Sequence, residues 1–180
     1  NPKKILDSDA AILPGVGSFP QGMKNLNKLD LIDPIKEFIF KNKLFLGICL
    51  GMQLLFDQSH EFCITPGLGI FRGEVKSFRT INKTCKIPHL GWNKVEMNPL
   101  ISKNKLLINP FKNMTKSQNF FYFVHSFIVL PNNSKDILTE TNYDNIKFCS
   151  SILNKNVFAS QFHPEKSGNS GLEVLKNFFG

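Results

Sequence analysis

Residues Leu44–Asp57, LFLGICLGMQLLFD, decide how this chain folds. Leu44-Phe45-Leu46 is a short apolar run and reads as a buried strand. GICLG follows, with Cys49 between Gly47 and Gly51. The apolar run behind it, from about Leu50 to Gln58, reads as a helix. Strand, tight turn and helix in succession form the unit of a parallel α/β sheet. Cys49 at that turn has two readings. Free cysteine is among the most buried residue types, so the thiol can be packing. A G-x-nucleophile-x-G turn between strand and helix is also the elbow that displays a nucleophile in α/β hydrolases. On that reading the glycines allow a tight turn and leave room for a substrate. A helix start favours the thiolate, so the Cys49 pKa is expected to be lowered. The N–H of Leu50 is then expected to face an oxyanion formed near Cys49.

The flanking sequence extends the same pattern. Ala10-Ala11-Ile12-Leu13 is a buried strand ended by Pro14-Gly15, and the chain opens almost directly at it. Leu31, Ile32, Ile35, Phe38 and Ile39 recur at helical spacing, giving a helix that ends near Asn42. From Gly67 onward the texture changes. GLGIFRGEVKSFR, KIPHLGWNKVEM, FFYFVHSFIVL, ILTET, IKFCSSIL and NVFASQF read as short strands, many of them antiparallel hairpin partners. A last helix is expected over Gly171–Phe179, with Leu172, Leu175, Phe178 and Phe179 on one face. No internal repeat or low-complexity linker interrupts the chain. The reading is one α/β domain over residues 1–180 with a mixed sheet.

Bulk properties narrow the function classes. The 180 residues suffice for a sizeable core. The net charge of +8 comes from 22 Lys+Arg against 14 Asp+Glu. Those lysines are scattered and form no basic block, which argues against a nucleic-acid partner. Cys49, Cys63, Cys85 and Cys149 show no CxxC spacing, so neither a metal site nor a disulfide framework is suggested. No apolar run is long enough for a membrane span and no signal peptide opens the chain. A reducing, cytoplasmic setting is expected.

A thiolate needs a base, and four histidines are available. His163 and Glu165 follow an apolar strand in FASQFHPE and flank Pro164. In extended chain, residues i and i+2 face one side, so Glu165 is expected to orient His163. That yields Cys–His–Glu, the triad logic with a thiol nucleophile. The bland alternative is a strand-end histidine beside a solvated glutamate. His60 sits in a polar turn and reads as surface. His89 and His125 lie in apolar strands and read as structural. Leu13-Pro14-Gly15-Val16-Gly17-Ser18-Phe19 follows a strand and precedes a helix. It lacks the Lys-Ser/Thr of a phosphate loop and the full GxGxxG. Its free backbone N–H groups suit an oxyanion or an amide substrate instead.

PGVGSF, GICLGMQLLF, IPHLGWNKV, FYFVHSF and QFHPEKSG, in this order, resemble the class I (triad-type) glutamine amidotransferases. Within that class the resemblance is to the glutaminase subunits of imidazole glycerol phosphate synthase, the HisH type. It covers the chain from about Ala10 to its end. The family normally begins some tens of residues earlier, so the chain is expected to be N-terminally truncated relative to it, without the first strand and helix. The resemblance implies a flavodoxin-like, mostly parallel mixed sheet flanked by helices. It implies Cys49 as nucleophile, His163 as base and acid, and Glu165 as the residue holding His163. It further implies Val16, Gly17 and Leu50 as oxyanion donors and Gln53 as a glutamine-binding residue. No cofactor or metal is implied. The implied partner is a (β/α)₈ cyclase subunit of the HisF type, forming a heterodimer, with Trp92 and Lys166 at the interface. Core packing is the equal alternative for Trp92. Rival readings are a paralogue feeding a sugar amidotransferase in surface-polysaccharide synthesis, an inactive scaffold, and a cysteine peptidase or esterase.

Overall fold

The structure is a computed structural model that describes residues 2–102, 108–115 and 118–180. Helix α1 (Pro2–Asp7) precedes strand β1 (Ala10–Leu13), where a direct opening onto the strand was expected. Its Ile5 and Leu6 pack on the core, and Lys43 Nζ ties down the carbonyls of Leu6 and Ser8 at 2.7 Å each. These tertiary contacts hold a six-residue helix that has little intrinsic stability. Helices α2 (Phe19–Lys28) and α3 (Ile32–Phe40) form the crossover to β2 (Leu44–Ile48). Both bury an apolar stripe, Phe19 and Leu26 on α2 and Ile35, Phe38 and Ile39 on α3.

The expected helix to Gln58 is shorter than its apolar run implies. Helix α4 is Leu50–Leu54 only, and Phe56–Ser59 forms strand β3. An apolar run buried on all sides has no period to tell helix from strand. Beyond lie β4 (Thr65–Pro66), β5 (Phe71–Ser77), α5 (Phe78–Ile81), β6 (His89–Lys94), β7 (Glu96–Met97) and α6 (Pro99–Ser102). Then follow β8 (Phe120–His125), β9 (Phe127–Pro131), β10 (Ile137–Tyr143), β11 (Ile146–Asn154), β12 (Val157–Ser160) and α7 (Gly168–Phe179).

The described strands form three sheets, where one mixed sheet was expected. The main sheet has the order β1-β2-β12-β11-β10-β7. Its β1, β2 and β12 are parallel, and β12, β11, β10 and β7 are antiparallel neighbours. The others are β4-β3-β5-β9 and the β6-β8 ribbon. Side chains alternate across the main sheet. Phe45 and Ala159 join one core with α2, α3 and α4, while Leu46, Ile48 and Phe158 join a second. The second core is dense in Phe, including Phe78, Phe121, Phe123, Phe148, Phe162 and Phe178. Strands covered on both faces read as continuous apolar runs, as β2 and β12 do.

Register places the functional loops. Leu13 pairs with Gly47, Gly47 with Ala159, and Ile48 with Ser160. The ladder extends one step further, Cys49 N–H donating to the Ser160 carbonyl at 2.8 Å. The loops after β1, β2 and β12 therefore leave one sheet edge together. The carboxyl end of parallel strands is where open α/β sheets bind ligands. None of the described helices is long and apolar enough to cross a membrane.

Candidate active site

At this edge lies a cavity of about 290 Å³, lined by Val16, Gly17, Cys49, Leu50, Gln53, Glu61, His125 and His163 among others. That is at the small end of the pockets that hold small molecules, roughly 300–1,000 Å³. The elbow that displays Cys49 is built differently from the sequence reading. Cys49 itself has φ 54° and ψ −108°, while Gly47 and Gly51 have negative φ. A non-glycine residue held there costs on the order of 1–3 kcal/mol, which surrounding structure must offset. The glycines serve close approach. A Cβ on Gly51 would lie 1.8 Å from the Leu13 carbonyl oxygen, and one on Gly47 would lie 3.0 Å from the Gly51 backbone. The elbow is thus pressed against the end of β1 backbone to backbone.

Burial sets the state of the thiol. Desolvation raises the Cys49 pKa to about 11, against the opposing hydrogen bonds from the Leu50 N–H and the Gln161 amide. This corrects the expected lowering. The helix behind Cys49 is only five residues long, and loss of water outweighs its amides. The sulfur lies 3.9 Å from the Val124 carbonyl oxygen and 3.5 Å from Gln161 Nε2.

His163 is buried at the end of β12, at the start of a 3-10 turn over Pro164–Lys166. The turn, rather than extended chain, brings Glu165 Oε1 to 2.7 Å from His163 Nδ1. A carboxylate only accepts, so Nδ1 is the donor in this bond. The ring's Nε2 is buried and has no hydrogen-bond partner. The backbone around it is pinned on every side. His163 N–H donates to the Tyr122 carbonyl, and Ser167 Oγ donates to the His163 carbonyl while accepting from Tyr122 N–H. A Cβ on Gly171 would lie 1.8 Å from the Pro164 oxygen, so α7 closes on the turn. A thiol sharing a cavity with such an imidazole is equipped for acyl transfer through sulfur.

The other residues singled out in the sequence divide clearly. Val16, Gly17, Leu50 and Gln53 line the cavity, and Gly17 takes φ 97°. Trp92 is 56% exposed, which excludes the core reading for it. It packs edge-on against Tyr122. Lys166 is exposed beside Glu165. His60 is paired with Glu74 at 2.7 Å on the surface. His89 and His125 are buried and bonded to each other at 3.0 Å, and desolvation lowers them to about 4 and about 3. Sequence reading missed Glu61, Gln161 and Ser167. Glu61 lies in a polar turn with no local pattern, and Gln161 and Ser167 are single residues beside a louder motif. Among the described residues no group of three or more His, Cys, Asp or Glu could hold a metal ion.

Comparison with known proteins is consistent along the whole chain. The imidazole glycerol phosphate synthase subunit HisH of Aquifex aeolicus is 45% identical over 172 residues, covering 96% of this chain and 77% of that protein. HisH 1 of Legionella pneumophila (strain Lens) is 42% identical over 180 residues, covering 98% of this chain and 83% of that protein. The structure of PurLQS from Thermotoga maritima shares the fold, with a TM-score of 0.67 at 19% identity over 96% of this chain and 79% of that one. The family model for glutamine amidotransferase class-I matches residues 3–180, so it takes in the elbow, the cavity and the His163 turn alike, and the chain belongs to that family.

Proposed function

We propose that this chain is the glutaminase subunit of an imidazole glycerol phosphate synthase, with Cys49, His163 and Glu165 as its catalytic triad. The observation that carries the chemistry is the unpartnered, buried Nε2 of His163 in the cavity that also holds Cys49, with Nδ1 tied to Glu165. His163 takes the thiol proton, and the sulfur attacks the side-chain carboxamide carbon of glutamine. Negative charge moves to the carbonyl oxygen, where backbone N–H groups of Leu50 and the Val16–Gly17 turn serve as donors. Each such donor is worth about 10²–10³ in rate. The tetrahedral species expels ammonia with the proton held by His163. Water, deprotonated by His163, then cleaves the thioester and releases glutamate.

Substrate grip follows from the lining. Both Nε2 protons of Gln53 are taken, by the Phe127 carbonyl at 3.1 Å and by Gln161 at 3.0 Å. Its oxygen is left to accept from the substrate. Glu61 supplies a carboxylate suited to an α-ammonium group.

The partner we infer is a (β/α)₈ cyclase subunit, as the subunit names of the relatives suggest. The exposed face of the β6-β8 ribbon supports it. Leu90, Trp92, Phe120 and Val124 stand out on that face, with Val124 also lining the cavity. Such an apolar strip at the cavity mouth suits a protein that keeps ammonia from water. Lys166 lies on the 3-10 turn whose N-cap residue, His163, donates its backbone N–H to the Tyr122 carbonyl of β8. The free thiols agree with a reducing, cytoplasmic setting.

The test is glutamate release by the chain mixed with a cyclase subunit and that subunit's nucleotide. Cys49→Ala is expected to abolish it, by on the order of 10⁶. Release by the Ala variant at the unmutated rate sinks the reading.

A further inference from the structure

We infer that Gln161 is a further catalytic residue, whose side-chain amide N–H holds the Cys49 sulfur and stabilises the negative charge formed on it. The inference rests on the proposed role of Cys49. Gln161 follows β12, two residues before His163, and is fully buried. Its backbone N–H donates to the Ser150 carbonyl at 2.9 Å, which fixes where the side chain starts. Its Nε2 lies 3.5 Å from Cys49 Sγ, and its Oε1 accepts from Gln53 Nε2 at 3.0 Å.

The orientation of that amide is forced. The Phe127 carbonyl only accepts, and it receives Gln53 Nε2 at 3.1 Å and His125 Nδ1 at 2.9 Å. Gln53 must therefore present nitrogen to Phe127, and its second proton goes to Gln161. Gln161 then shows oxygen to Gln53 and nitrogen to the sulfur. Turning Gln53 over would set its oxygen against the Phe127 carbonyl, and turning Gln161 over would set two NH2 groups against each other, in a buried site where an unmet polar group is costly. The same carbonyl fixes the ring of His125. With Nδ1–H given to Phe127, its Nε2 accepts from His89 Nδ1, and His89 Nε2 accepts from Asn93. Each donor and acceptor in the run from Asn93 to Cys49 has one assignment.

The chemistry this does is specific to the first step. When His163 removes the thiol proton, the charge sits on a sulfur that burial has stripped of water. The Leu50 and Gln161 N–H groups are the donors that act against that burial. When the S–C bond forms, the charge leaves the sulfur for the carbonyl oxygen and the Gln161 contact weakens. Gln161 thus eases thiolate formation. Other ionisable groups also face Cys49. They are His163, Glu165 and Lys166 from the turn after β12, His125 from β8 and Glu61 from the loop after β3.

The test is alkylation of Cys49 by iodoacetamide across a pH series in the unmutated chain and in Gln161→Met, read on the Cys49 peptide by mass spectrometry. Below the thiol's pKa the Met variant is expected to react about tenfold more slowly at each pH. The gap should close as pH rises and the thiol ionises unaided. Equal rates below that pKa, or a loss that persists undiminished above it, overturn the inference. If circular dichroism shows the Met variant unfolded, Gln161→Glu preserves the shape and the oxygen facing Gln53. Ionised, it sets a like charge by the sulfur, so at least tenfold slowing is expected, and unmutated rates overturn the inference. Alkylation needs no glutamine or partner. Failure of glutaminase activity in the unmutated complex therefore counts against the proposed function and leaves this result separate.

Discussion

The α-carbon of Gly51 faces the carbonyl oxygen of Leu13 so closely that a Cβ would lie 1.8 Å from it. This contact seats the elbow against β1 and sets where Cys49 stands. Both partners are backbone, so neither can swing aside. Gly51→Ala is expected to cost about 3 kcal/mol or more in urea unfolding, at the upper end for overpacking. Any folded fraction should have lost glutaminase activity. A fully active Ala variant of ordinary stability would show that the elbow tolerates a shift.

Glu165 Oε1 lies 2.7 Å from His163 Nδ1 and holds the ring. Glu165→Gln keeps an oxygen for Nδ1–H and loses the charge. We expect kcat to fall roughly 10²-fold for Gln and up to about 10⁴-fold for Ala, with KM little changed. Steady-state kinetics of the partnered enzyme measures both. An Ala variant within a few-fold of the unmutated rate would remove Glu165 from the mechanism.

Trp92 is exposed on the β6-β8 ribbon and contributes little to the core. Trp92→Ala is expected to leave the melting temperature nearly unchanged. Binding to a cyclase subunit should weaken by about 2 kcal/mol, roughly 30-fold in Kd. Titration calorimetry reads this directly, and an unchanged Kd would place the interface elsewhere.

His89 and His125 are neutral in the fold, held at about 4 and about 3 by burial. Unfolded, they take up protons near 6.5. Between those values the unfolded chain binds more protons, so their contribution is complete above about pH 6.5 and is lost as pH falls toward 4. His125→Gln is expected to reduce the slope of unfolding free energy against pH in that window by about one proton. Denaturant titrations at several pH values supply the slope. An unchanged slope would mean that His125 is protonated in the fold.

Much of this was legible in the chain itself. AAIL and the LFL of β2 are recognisable as short apolar runs closed by Gly or Pro, but β1 lies at the sheet edge and is only half-buried, with Ile12 exposed, where a buried strand was expected. The stripe of α3 follows from a 3.6-residue period, whereas on α7 the buried residues are Gly171, Val174 and Phe178 and the expected Leu172 is exposed. Cys49, His163 and Glu165 stand out because GICLG and FHPE are local patterns, each contained in a few residues. The split of residues 50–59 into α4 and β3 was not legible, since residues 50–56 are buried throughout and carry no period. Nor was α1, which exists through its packing on the core.

The sequence by itself determined the fold class, the elbow and the pairing of His163 with Glu165, because these depend on neighbours along the chain. Tertiary structure alone decided what surrounds them. Gln53 from α4, Phe127 from β9, and Gln161 after β12 meet through sheet pairing, across separations of 74 and 108 residues. The state of Cys49 was settled in the same way. A helix start argues for a low pKa, but the loss of water that raises it depends on every element packed around the sulfur, and no short stretch of sequence records that sum.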